Sequence, residues 1–145
     1  MATITYTVTV ATGTNQYGTG DKFYINGSVS PALNLIEGNT YIFDTSDSTV
    51  SGDLFSFSTS ANNSPAAPYT TGVTQNGTAG TSGANTTIVV ATNAPTLYYY
   101  CTNHAGMGNV AYTLAAGSIA TTSNFEASFT IDEVIEDAYE RCGVQ

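Results

Sequence analysis

From Thr3 to Val10 apolar and polar residues alternate without a break, with Ile4, Tyr6, Val8 and Val10 on one face and Thr on the other. A period of two puts alternate side chains on opposite faces of an extended chain, so this segment predicts a half-buried strand. Thr12 to Asp21 is rich in Gly and carries little apolar weight, and it predicts a loop. Lys22 to Asn26 predicts a short strand closed by Asn26-Gly27, the dipeptide that best tolerates the positive φ of a tight hairpin. Leu33 to Ile36 and Thr40 to Asp44 predict two strands around the turn Glu37-Gly38-Asn39, and Leu54 to Ser58 another through Leu54, Phe55 and Phe57. Thr59 to Ala84, dense in Pro, Gly, Asn and Ser, predicts a long surface excursion with one short strand near Tyr69 to Val73. Thr86 to Ala91, Thr96 to Cys101 and Asn109 to Leu114 complete a set of short strands separated by turn signals. Such a set means a mainly β sandwich or barrel.

The pattern changes after Ala115. Residues 117–130 read as a small, polar linker or arm, with an edge strand at Phe125 to Thr130. Thr130 then stands as an N-cap with Glu133 three residues later, a capping box for a helix. Ile131, Val134, Ile135, Ala138 and Tyr139 fall on one face of that helix, while Asp132, Glu133, Glu136, Asp137 and Glu140 fall on the other. Gly143 ends it. At about a dozen residues the helix is marginal alone in water, so its apolar stripe predicts a partner interface. The expected organisation is therefore a sandwich at 1–116, a linker at 117–130 and a helical segment at 131–145.

Charge narrows the function classes. Two basic residues, Lys22 and Arg141, stand against eleven acidic ones in 145 residues. Binding to nucleic acid phosphates needs Lys and Arg to displace counterions, so direct nucleic-acid binding is not expected. No apolar run approaches the length of a membrane span. The opening Met1-Ala2-Thr3-Ile4-Thr5 has no basic patch and no apolar stretch, so no signal peptide is expected, and the sequons at Asn26, Asn62, Asn76 and Asn85 then carry little meaning. Two Cys do not make a disulfide framework. There is no phosphate loop, no His cluster and no Ser nucleophile motif, and a single His removes most acid–base schemes, so an enzyme is not expected.

Candidate chemistry is concentrated in Tyr98-Tyr99-Tyr100-Cys101-Thr102-Asn103-His104-Ala105-Gly106-Met107-Gly108. A mononuclear electron-transfer copper takes a Cys thiolate and two His nitrogens in a plane, with a long axial Met. Cys101, His104 and Met107 offer one of each, but His104 is the only His in the chain.

This stretch resembles the ligand loop of the cupredoxin family, the plastocyanin-like sandwiches. More narrowly, residues 4–114 resemble the cupredoxin-like domains of structural proteins of marine bacteriophages, especially those infecting cyanobacteria. The carrying blocks are Phe23-Tyr24-Ile25-Asn26-Gly27, Leu33 through Asp44, Tyr69-Thr70-Thr71-Gly72-Val73 and Ala94 through Cys101. The resemblance implies a Greek-key β-sandwich. Where the family's first His would precede the aromatic strand, Asp53 stands in Gly52-Asp53-Leu54-Phe55, and only two residues separate His104 from Met107. Cys101, His104, Met107 and Asp53 are therefore expected to be a remnant of a copper-type site that holds no metal. Thr130 through Gly143 resembles the opening helix of phage head-to-tail adaptor proteins, helical bundles that ring the portal. Together the two resemblances imply a virion protein, most simply a neck component in a symmetric homo-oligomer, in contact with portal, adaptor, tail or capsid proteins. A capsid decoration protein and a small copper electron carrier stand as the alternatives.

Overall fold

The computed structural model describes residues 1–63 and 67–117. The predicted edge strand at Phe125 to Thr130, the helix, and the interface positions Ile131, Val134, Ile135, Ala138 and Tyr139 lie outside the described residues, as does most of the linker.

Among the described residues ten strands form two sheets: β1 (Thr3–Asn15), β2 (Gly18–Ile25), β3 (Ser28–Val29), β4 (Leu33–Ile36), β5 (Thr40–Asp44), β6 (Phe55–Ser58), β7 (Val73–Asn76), β8 (Asn85–Val89), β9 (Leu97–Cys101) and β10 (Asn109–Leu114). One sheet runs β3-β2-β1-β5-β8-β7 and the other β4-β10-β9-β6. Most neighbours are antiparallel, but β1 pairs with β5 and β4 with β10 in parallel, so the chain crosses between sheets to make those contacts. Among the described residues no helix is long and apolar enough to cross a membrane.

The sheets share one core. Val8 and Phe23 of β1 and β2, Tyr41 and Phe43 of β5 and Ile88 of β8 meet Leu35, Phe55, Phe57, Leu97, Tyr99 and Ala111 from the second sheet in a single buried cluster. The alternation of β1 appears directly: Val8 is buried, and Ile4, Tyr6 and Val10 pack partly buried against the same cluster. At β9, Leu97, Tyr99 and Cys101 face inward. Tyr100 points to the other face, yet it is only 4 % exposed and lines a groove with Leu54, Tyr69 and Thr70.

Two element predictions are corrected. Residues 12–21 are not a loop: β1 and β2 pair through Asn15↔Gly18, leaving Gln16 and Tyr17 as a two-residue turn with Gly18 at φ 109°. This ribbon is held by its backbone ladder and needs no buried face, so apolar alternation was the wrong signal for it. The strand expected near Tyr69 to Val73 lies instead at Val73–Asn76, paired with β8. Tyr69 itself is tied to the opposite sheet, its N–H donating to the Phe57 carbonyl at 2.8 Å. The Asn26-Gly27 turn is as predicted, both residues at positive φ and Ile25 opposite Ser28.

Candidate functional site

A tight turn delivers Asp53. The Asp47 carboxylate accepts from the Thr49 N–H at 2.9 Å and from the Thr49 hydroxyl at 2.6 Å, capping a single 3-10 turn at Ser48–Val50. That turn is fastened to β1, because the Thr49 hydroxyl accepts from the Val10 N–H at 2.9 Å, and to the core by the fully buried Val50. Gly52, at φ 83°, reverses the chain, and the Asp53 N–H donates to the Val50 carbonyl at 2.9 Å. Asp53 is thereby held inside, 7 % exposed, at the entrance to β6.

The second half comes from the connection between β9 and β10. Cys101 ends β9 opposite Phe55 and is fully buried. Thr102 extends the pairing by one bond to the Leu54 carbonyl, and the Asn103 side chain donates to the Gly52 carbonyl at 2.7 Å, tying this loop to the Asp53 turn. The loop's far end is gripped by the other sheet. The Gly106 carbonyl accepts from the Lys22 ammonium at 2.7 Å and from the Asn15 amide at 2.9 Å, and the Met107 carbonyl accepts from the Phe23 N–H and the Ser30 hydroxyl, each at 3.0 Å. Lys22 is 3 % exposed. A buried ammonium is costly unless its donors are matched, and the Gly106 carbonyl supplies one acceptor.

Three of the four predicted positions meet. The Cys101 thiol donates to Asp53 Oδ1 at 3.3 Å, His104 Nδ1 lies 2.6 Å from the same oxygen, and Sγ and Nδ1 are 3.7 Å apart. The His104–Asp53 contact is the one ion-pair geometry found among the described residues. The two atoms are close enough to share a hydrogen, which a carboxylate in its ionised form can only accept. Met107, the fourth position, is 1 % exposed and belongs to the hydrophobic core. Burial pushes the Cys101 thiol up to about 11. The Asp53 carboxylate adds to the rise, and the Asn103 and His104 N–H groups partly offset it.

This geometry limits the chemistry. A thiol nucleophile needs a base on one imidazole nitrogen and an orienting carboxylate on the other. Here sulfur and carboxylate both crowd Nδ1, and the thiol is buried and neutral at pH 7. Type 1 copper does not fit either. Its plane needs two imidazoles beside the thiolate, and the place of the second is taken by a carboxylate oxygen, a harder donor. Adding Cu(II) to the protein should therefore produce no intense absorption near ~600 nm, where thiolate-to-copper charge transfer of a planar site falls. A strong band there would overturn this assignment.

Sequence reasoning missed Lys22 and Gly108. Lys22 sits in a strand of otherwise ordinary pattern, where a Lys reads as surface. Gly108 reads as a turn residue, and nothing local says which backbone will pass over it. No protein-family model, no curated protein and no solved structure matches the chain.

Proposed function

We propose that this chain is a non-enzymatic structural component of a bacteriophage virion, a neck or head-to-tail connector protein built on a cupredoxin-like sandwich without a type 1 copper site. The meeting of Asp53, Cys101 and His104 at one end of a two-sheet core, with a carboxylate where an electron carrier needs its second imidazole, weighs against the electron-carrier alternative. Two parallel strand pairs, and a Cys–His–Met loop joining the adjacent antiparallel strands β9 and β10, accord with the Greek-key cupredoxin resemblance. A surface of Thr, Asn, Ser and Gly with almost no basic residues suits a protein packed against other proteins rather than against nucleic acid.

The neck assignment rests on the C-terminal pattern. Ile131, Val134, Ile135, Ala138 and Tyr139 form a stripe too short to hold a helix unaided. Burying each large side chain on a partner contributes roughly 1.5–3 kcal/mol, enough to fix the segment in an assembly. The carboxylates opposite discourage identical copies from stacking through that face. Partners are then the portal, adaptor, tail or capsid proteins, in a symmetric ring of like subunits, and the protein resides in the virion. A capsid decoration protein would use the same sandwich without needing the adaptor-like segment.

The double substitution Ile131→Asp, Ile135→Asp is expected to leave the melting temperature of the sandwich nearly unchanged and to remove the protein from assembled particles. Mass spectrometry of purified virions reads the outcome. Normal incorporation of the double variant would leave the neck assignment without its main support.

A further inference from the structure

Asp53 Oδ1, Cys101 Sγ and His104 Nδ1 lie within 4.8 Å of one another, two of them on buried residues and the third on an exposed one. We propose that these three atoms hold a single divalent zinc ion, with solvent at the fourth tetrahedral position. The proposal departs from the sequence-based expectation of an empty remnant, and it does not depend on the virion reading.

The spacing of the donors carries it. A tetrahedral zinc with Zn–S of about 2.3 Å and Zn–N and Zn–O of about 2.0–2.2 Å sets its ligand atoms roughly 3.3–3.6 Å apart. The observed S···O and S···N separations are 3.3 and 3.7 Å. Only the N···O separation, 2.6 Å, is shorter, because a hydrogen shared by Nδ1 and Oδ1 now lies on that edge. The side chain that must give way is His104, which is 62 % exposed, so opening the edge disturbs no packing. On binding, the Cys101 thiol proton leaves to solvent and the imidazole hydrogen moves to Nε2, freeing Nδ1 for the ion.

The surroundings are those of a prepared site. The Asn103 N–H donates to Sγ at 3.3 Å, which stabilises a thiolate, and the Asn103 amide pins the loop to Gly52. Outer contacts of this kind orient ligands and tune affinity. A mixed sulfur, nitrogen and carboxylate set suits zinc, which has no electronic preference for a planar array, and disfavours type 1 copper. The ion would clip the Asp53 turn to the β9–β10 loop at the end of the sandwich. The exposed position beside Thr102, Asn103 and Ala105 leaves the fourth site open to water.

The test uses the full chain, stripped with a chelator, and Co(II) ions as the spectroscopic probe. Binding should saturate at one ion per chain, with the intense visible bands of tetrahedral cobalt and a near-ultraviolet thiolate charge-transfer band, and Zn(II) ions should displace the cobalt. His104→Gln, at the exposed ligand, should keep the fold by circular dichroism and weaken binding by more than the roughly 10–100-fold that loss of an outer partner costs. Cys101→Ser should abolish the charge-transfer band, and Asp53→Asn should weaken binding while leaving the metal-free melting temperature close to that of the parent. A weak octahedral spectrum, or binding unchanged in His104→Gln, would place the ions on the acidic residues of the chain and overturn the proposal.

Discussion

Replacing Gly108 by Ala should destabilise the sandwich by more than about 3 kcal/mol, a large share of the stability of an ordinary domain. Gly108 lies just before β10, where the chain passes over the backbone of β9. A Cβ at this position would stand 1.8 Å from the Tyr99 carbonyl oxygen and 2.7 Å from its carbon. Neither strand can yield. Asn109 is paired with Tyr99 in the ladder, and the Tyr99 hydroxyl donates to the Pro31 carbonyl at 2.6 Å. Relief requires parting β9 from β10, which also displaces Cys101. Gly20→Ala is the matched control, because a Cβ there meets nothing within 4 Å. It should change stability by no more than about 0.5 kcal/mol. Urea unfolding of both variants reads the difference, and equal midpoints would show that the close approach at Gly108 is not a constraint.

Phe55→Ala is the second large effect. The Phe55 ring stacks on Phe43 with centroids 4.6 Å apart and on Tyr99 at 5.3 Å, and meets Phe23 and Phe57 edge-on at 5.0 and 5.6 Å. These neighbours come from both sheets, so truncation opens a cavity on the plane where the layers join. Loss of a buried aromatic to Ala costs about 3–5 kcal/mol, because the walls collapse only in part. The melting temperature should fall by on the order of 10–20 °C. Phe55→Leu, which keeps most of the volume, should cost markedly less. A fall of only a few degrees for Phe55→Ala would mean that the two faces are not joined through this ring.

Gly108 and Phe55 also mark different distances between sequence and structure. Phe55 announces itself, being a large apolar residue in an alternating segment that must face a core. Gly108 does not, since its role depends on a backbone nine residues earlier that folding brings overhead. The candidate site divides the same way. Cys101, His104 and Met107 stand in one short motif, and Asp53 was found by its place before the aromatic strand. That Asp53 reaches both Cys101 and His104, while Met107 turns into the core, follows from how β6 lies beside β9. Lys22 reads as a surface charge at the start of a strand, and its burial follows from the Gly106 carbonyl arriving from a loop more than eighty residues away.

Local periodicity and turn chemistry were sufficient for the strands with a buried face, for the Asn26-Gly27 hairpin and for the mainly β class, because each depends on residues within a few positions of one another. The ribbon at residues 12–21, the placement of β7 and the parallel pairing of β1 with β5 and β4 with β10 depend on backbone partners far along the chain. No side-chain pattern encodes such a partner. The Asp53–Cys101–His104 cluster belongs to that second group. Its residues are written in the chain, but the distances that let them share an ion exist only once the two sheets have closed on each other.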